Sequence, residues 1–380
     1  MLPRTLIVLL AAAFLGTAQP SANYRVLWER EFGAFSKLFF LQGAGVDGHG
    51  DLWVLTSAFT GRRDYTRLTT LFRIDGSGDR QSAVDVEAHV PANVETDLAE
   101  YYPVVLPGGP AGFLVAVHRV RGRDSESLGA FYAPLLRSGA VGSPVRISAA
   151  DGPIFWRVIP LADGDLLAVG DQSPLVVEKI RPNGEVRWRR RFWKWLDVPS
   201  AAAMQDGASC VASSEYPGTP DIKQLHLLRL DAAGALQRET KSHGHLATVA
   251  AGPDGACAVF SYDYPRGIEA ARYHLTVFDA SLRQLWTRDI PTNVAGPYGM
   301  EWYLIALRDG YLASGVAWSG DLFLARYTWG GDLLWLEKLK APRAPAFLVA
   351  NLDGFYLIGE IDRPHGPPTS FLVRKIAVLR

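Results

Sequence analysis

Short apolar stretches recur along the chain, each entered through a turn rich in Asp and Gly. The clearest read DGDLLAVG from Asp163, DGASCVAS from Asp206, DGACAVFS from Asp254, DGYLASG from Asp309 and DGFYLIG from Asp353. Weaker copies are GHGDLWVL, ending at Leu55, and GGPAGFLVAV, ending at Val117. Runs this short, bounded by Gly, Asp and Pro, predict strands. An apolar segment precedes each turn, as in FWRVIPL from Phe155 and EWYLIAL from Glu301. An alternating one follows, as in PLVVEKI from Pro174, LHLLRLD from Leu225, HLTVFDA from His274 and LFLARYT from Leu322. A second tight turn then leads to a strand carrying tryptophan: GEVRWRRRF from Gly184, RQLWTRDI from Arg283 and GDLLWLEKL from Gly331. Trp188 and Phe192 also have helical spacing, but glycine bounds these segments too closely for a stable helix.

Four strands per unit, repeated in seven copies spaced by about 43 to 60 residues, match the blades of a β-propeller. The expectation is a single all-β, seven-bladed propeller, with six or eight blades as alternatives. Those alternatives stay open because three units lack the tryptophan. Their fourth strands read RQSAVDV from Arg80, SPVRIS from Ser143 and GALQRET from Gly234, the last placing Gln237 near the Trp position. The final unit has three strands only, AFLVANL from Ala346, GFYLIGE from Gly354 and SFLVRKIAVL from Ser370. Its missing fourth is expected at the other end of the chain, in YRVLWEREF from Tyr24 to Phe32. Pairing the two ends would close the ring and remove the free sheet edges. Trp28, Trp188, Trp286 and Trp335 then occupy one repeated position, which argues for wedges between blades.

The spacing of glycine, three residues, then Trp resembles the repeats of the quinoprotein-like (PQQ-like) β-propellers over most of the chain. The resemblance implies the propeller superfold and two kinds of relative, quinone-dependent dehydrogenases and non-catalytic periplasmic scaffolds. The catalytic residues of the former do not carry over. There is no adjacent Cys pair and no segment alignable with a calcium- and quinone-binding site, so no cofactor is expected.

The first residues change the picture of location. Arg4, an apolar run from Leu6 to Leu15 and the small-x-small Gly16-Thr17-Ala18 predict an export signal over 1–18, followed by one domain over 19–380. A secreted or periplasmic protein is expected, with no membrane span in the mature chain. Lys plus Arg and Asp plus Glu both total 39, so no net field draws nucleic acid. In an exported chain the two cysteines, Cys210 and Cys257, invite a disulfide; two separate buried thiols are the other reading.

Loop length points to the binding face. First-to-second and third-to-fourth connections are short, whereas the others are longer and share the opposite face. These include 59–67, 119–127, 214–224, 262–272 and 361–369. Long loops on a rigid scaffold commonly carry binding. Candidate ligand contacts there are Tyr101, Trp156, Glu215, Tyr216, His243, His245, Tyr262, Asp263 and Trp302, since aromatics beside carboxylates suit sugars or peptides. Glu100 and Glu301, each expected to open an innermost strand, are the best pair for acid–base work. His243 and His245 are expected on one strand face, where with a third ligand they could hold a metal; an isolated His-x-His is weak and no metal site is assigned. The basic run Arg187 to Arg191 reads as a solvated outer edge. Gly43 to Gly48 matches a dinucleotide fingerprint by letters but runs into a strand, so it reads as a turn. The leading function is a non-catalytic binding or scaffold protein for a protein, peptide or glycan. A carbohydrate-active hydrolase or lyase is second, and a quinone-dependent dehydrogenase third.

Overall fold

A computed structural model describes residues 23–33, 39–47, 49–59, 67–85, 98–105, 111–121, 124–134, 142–143, 145–148, 154–171, 175–192, 199–215, 224–263, 272–290, 303–316, 322–339, 343–351, 354–361 and 370–379. The expected export signal lies outside them.

The described strands form seven four-stranded antiparallel sheets, the blades of a propeller, with almost no helix. The first blade holds β2 (Phe39–Val46), β3 (Leu52–Phe59), β4 (Arg67–Ile74) and β5 (Arg80–Asp85). The second holds β6 (Leu98–Val105), β7 (Ala111–Arg121), β8 (Asp124–Pro134) and β9 (Val145–Ser148). The third holds β10 (Ile154–Pro160), β11 (Leu166–Asp171), β12 (Leu175–Ile180) and β13 (Val186–Phe192). The fourth holds β14 (Ser200–Ala203), β15 (Ser209–Glu215), β16 (Gln224–Leu230) and β17 (Leu236–His243). The fifth holds β18 (His245–Ala251), β19 (Cys257–Asp263), β20 (Arg272–Phe278) and β21 (Gln284–Ile290). The sixth holds β22 (Tyr303–Leu307), β23 (Gly310–Val316), β24 (Leu322–Thr328) and β25 (Leu333–Leu339). The last holds β26 (Arg343–Asn351), β27 (Gly354–Glu360) and β28 (Phe371–Val378), with β1 (Tyr24–Phe32) paired antiparallel to β28 as its outer strand. Innermost strands lie against one another in sequence, β2 on β6, β6 on β10 and so on to β26, which lies back on β2.

The Asp-Gly turns join first to second strands, and their acidic residues have a repeated task. A basic residue two positions before the next turn reaches across to them from the third strand. Lys179 Nζ lies 2.5 Å from Asp163, Arg229 2.9 Å from Asp206 and Arg73 2.5 Å from Asp51, and the buried Arg326 pairs with Asp309. At Asp163, burial raises the carboxyl pKa, but the Lys179 ammonium and backbone donors outweigh it and hold the group below its usual range.

The third-to-fourth turns of the first, fourth and fifth blades are five-residue loops whose first residue accepts backbone N–H groups through its side chain. Asp75, Asp231 and Asp279 each accept from the residues two and four positions on. A left-handed residue in fourth place adds a bulge and lets the outer strand turn back. At Gly78, Gly234 and Gly331 this φ is 91°, 77° and 89°.

Those glycines explain the tryptophans. Trp28 on β1 donates Nε1–H to the Gly76 carbonyl of the next blade, Trp188 to Ala232, and Trp286 to Trp329, at 3.0–3.1 Å. Each indole lies flat on the turn glycine: a Cβ added to Gly234 would fall 2.5 Å from the Trp188 ring. Two residues beyond, Arg190 and Arg288 donate to the carbonyls of Gly234 and Gly331 and lie over their own tryptophans. A Trp–x–Arg pair thus clamps one blade to the next.

Of the joints without this clamp, two show what takes its place. Trp335 meets no third-to-fourth turn, because in the last blade the third and fourth strands are β28 and β1, which no turn connects. Its ring packs against Tyr24 at 6.2 Å, and Glu337, in the Arg position, accepts from Asn23 Nδ2 at 2.9 Å. Burial, followed by the Glu337 charge, raises the Tyr24 pKa. In the fourth blade, register places Arg238, not Gln237, at the Trp position, opposite Arg229. The receiving turn of the fifth blade correspondingly has Leu282 where glycine stands elsewhere, at φ 55° and buried. The receiving blade supplies the apolar wedge that the donating blade lacks. Leu282→Gly is therefore expected to destabilise by about 2 kcal/mol or more, since losing a buried Leu outweighs relief of a left-handed conformation. Adding Arg238→Trp to Leu282→Gly should recover part of that loss, whereas Arg238→Trp alone should not help; urea midpoints of the three variants decide it.

Two sequence expectations are corrected. The segment 119–127 is no long loop: β7 runs to Arg121 and β8 resumes at Asp124, because alternation continues to the hairpin tip. Gly43 to Val46 lie within β2, and the turn begins at Asp47, whose carboxylate accepts from the backbone of His49 and Asp51.

Candidate functional site

Among the described residues, two histidine–carboxylate bridges lie in the fourth and fifth blades, at the strand ends that lead to the long connections. β15 ends there at Glu215 and β19 at Asp263. In both blades the third strand places a histidine at the same spacing ahead of the turn aspartates Asp231 and Asp279. His226 is buried, with Nε2 2.7 Å from Glu215 Oε2 and Nδ1 3.3 Å from Glu239 Oε1 on β17. His274 lies with Nδ1 2.8 Å from Asp289 Oδ1 on β21 and Nε2 3.4 Å from Asp263 Oδ2. Each imidazole bridges a second-strand and a fourth-strand carboxylate, on the side facing the preceding blade. The carboxylates themselves remain partly or largely exposed.

The opposite side of the fifth blade is aromatic. His245, opening β18, stacks on Tyr262 with ring centres 4.9 Å apart, and Tyr262 packs near Tyr273. This rim therefore combines exposed oxygen acceptors with aromatic faces, which can accept hydroxyl or ammonium donors and stack on a flat ligand.

Glu215, His245, Tyr262 and Asp263 belong to this rim, and His243 ends β17 beside it. His243 and His245 do not share a strand face. Gly244, at φ 121°, carries the chain from the fourth blade to the fifth between them, so strand alternation does not apply. Among the described residues no group of three His, Cys, Asp or Glu side chains is arranged to hold a metal.

The other candidates are placed only in part. Glu100 and Tyr101 lie on β6, the innermost strand of the second blade. Trp156 lies at a bulge of β10, between Phe155 and Arg157. The same bulge recurs in β2 between Leu41 and Gly43, and in β18 between Leu246 and Thr248. Tyr216, Glu301 and Trp302 lie outside the described residues.

Cys210 and Cys257 form a disulfide, Cα–Cα 6.3 Å, that joins the second strands of the fourth and fifth blades beneath the rim. It sits in one apolar cluster with Leu225, Leu227, Phe278 and Leu282.

His226, Glu239, His274 and Asp289 are not evident from sequence motifs. Their signal was the two histidines at equal spacing before a turn aspartate, in strands otherwise read as core.

No protein-family model matches the chain, and no curated protein matches it. Among solved structures it is similar to polysaccharide lyase Uly1, with TM-score 0.57 and 11% identity over 93% of this chain and 100% of that one. It is similar to the β-propeller domain of the Trilobed protease from Pyrococcus furiosus, described as having an open velcro topology, with TM-score 0.54 and 11% identity over 90% and 96%. The Dos1 propeller matches with TM-score 0.54 and 8% identity over 93% and 95%. Likeness at such identity shows the propeller fold.

Proposed function

We propose that this chain is an exported, non-catalytic binding propeller that takes a protein, peptide or glycan at the long-loop face, centred on the rim of the fourth and fifth blades. The observation that carries this reading is that the fifth blade sets Asp263 and Asp289 around His274 on one side and the His245–Tyr262 stack on the other, with Glu215 at the matching strand end of the fourth blade. An imidazole between two carboxylates, half-buried at His274 and buried at His226, fixes acceptor positions without occupying their outer faces. A rigid rim of that kind loses little entropy on binding.

The export signal over 1–18, the single domain over 19–380 and a secreted or periplasmic site belong to the same proposal. The disulfide favours an oxidising compartment. Among the described residues no helix is long and apolar enough to cross a membrane. We read the seven sheets as one ring that depends on β1 for closure, supported by its pairing with β28 and by β26 lying on β2.

Glycan and peptide arrays probed with wild-type protein and with Tyr262→Ala/Asp263→Asn test the proposal. Ligands retained by wild type should lose about tenfold or more in affinity with the variant, at unchanged thermal midpoint. Equal binding by both would remove the rim as the site. Turnover of a bound glycan, abolished by Glu100→Gln or Glu301→Gln, would instead establish the enzymatic reading.

A further inference from the structure

We propose that the outer edge of the third blade, strand β13, is a docking edge for an extended peptide carrying acidic residues at alternate positions. β13 ends its sheet. One edge pairs with β12, and no described strand pairs with the other. A free edge offers backbone donors and acceptors to an added strand.

Charge distinguishes this edge. β13 carries Arg187, Arg189, Arg190 and Arg191 and no acidic residue. The outer strands β17, β21, β25 and β1 each mix signs, as in Arg238 with Glu239, Arg288 with Asp289, Glu337 with Lys338, and Glu29 with Arg30. The arginines of β13 also divide by face. Trp188 and Arg190 serve the clamp on the fourth blade. Arg189 and Arg191 share the other face, are exposed, and stand about 6.7 Å apart along the strand, and the exposed Arg187 stands at the bulge between Val186 and Trp188.

Only part of this charge is met within the fold. Arg189 pairs with the buried Glu178, and Arg187 lies 3.6 Å from Asp165, which Lys179 also approaches at 3.7 Å. Carboxylates at alternate positions of an added strand would meet Arg189 and Arg191 at their own spacing and find Arg187 at the bulged end, while its amides pair with the open edge. An acidic polysaccharide could meet the charges but not the backbone groups, and the edge geometry therefore favours the peptide.

The test is titration of the full chain with a capped peptide bearing Glu at alternate positions, beside the same peptide N-methylated at alternate amides. The expected result is a dissociation constant well below about 1 mM for the unmodified peptide. Affinity should weaken about tenfold with N-methylation, with Arg187→Glu/Arg191→Glu, and on raising salt to about 1 M, where screening is near complete. Arg187→Gln/Arg191→Gln, which adds no repulsion, should weaken binding less than the Glu pair does and confirms the effect where the Glu pair misfolds. Absence of binding, equal affinity of the N-methylated peptide, or full binding by the Gln variant would overturn the proposal. So would tighter binding of polygalacturonate than of the peptide, which would mark a polyanion surface instead.

Discussion

Deleting Tyr24–Phe32 is expected to leave a chain that no longer unfolds in one cooperative transition. β1 matches β28 residue by residue from Tyr24 on Val378 to Phe32 on Phe371, with one bulge at Val26 and Trp28. Removing it exposes the edge of β28 and takes away the Trp28 clamp on the first blade. Aromatic-to-Ala changes in a core cost about 3–5 kcal/mol, and this strand loses more than one such group. Phe32 stacks on Phe371 at 5.5 Å, and Phe371 in turn meets Phe72 of the first blade. Ion pairing of Glu29 with Arg374 and the contact of Glu31 with Ser370 go as well. A folded propeller is stable by only about 5–15 kcal/mol, so the loss is comparable with the whole. The measurement is thermal and urea unfolding followed by circular dichroism. A deletion variant with the wild-type midpoint would show that the ring holds without its N-terminal strand. Trp28→Ala serves as the milder version, with a drop of about 3 kcal/mol expected.

Local patterns made much of this architecture legible. Asp-Gly turns, period-two alternation and the Trp strands each depend on residues close in sequence. The N-terminal strand was readable because YRVLWEREF repeats a phrase used elsewhere. Contacts between strands were less readable. Glu215, His226 and Glu239 meet only because β15, β16 and β17 take one particular register, and no motif announces it. The His-x-His reading failed because Gly244 ends one sheet and starts another. Gln237 was read as standing near the missing wedge, the register puts Arg238 there, and the compensation by Leu282 lies one blade away, on a turn that lacks the expected glycine. The acid pair Glu100 and Glu301 depends on a distance across the channel, which strand patterns do not encode.

Replacing Cys210 and Cys257 together with alanine is expected to lower stability by about 4 kcal/mol. The bridge spans a sequence separation of 47, and the loop-entropy relation for that length gives roughly this value. For a chain of 380 residues, unfolding entropy near 0.8 kcal/mol/K converts it to a fall in thermal midpoint of about 5 °C. Its position gives the effect a second signature. The bridge crosses the joint where Arg238 replaces tryptophan, so the fourth and fifth blades are held by the disulfide, Leu282 and the Arg229 bond to the Gly255 carbonyl. Without the disulfide that joint should open first. Amide hydrogen exchange in β15 and β19 should accelerate more than in β23 and β27, which belong to blades joined without a disulfide. Both cysteines are fully buried, so a reductant under native conditions should act slowly and only through this opening. Uniform acceleration around the ring, with the midpoint falling as stated, would mean that the bridge acts on the unfolded chain alone and that the joint is held by its apolar contacts.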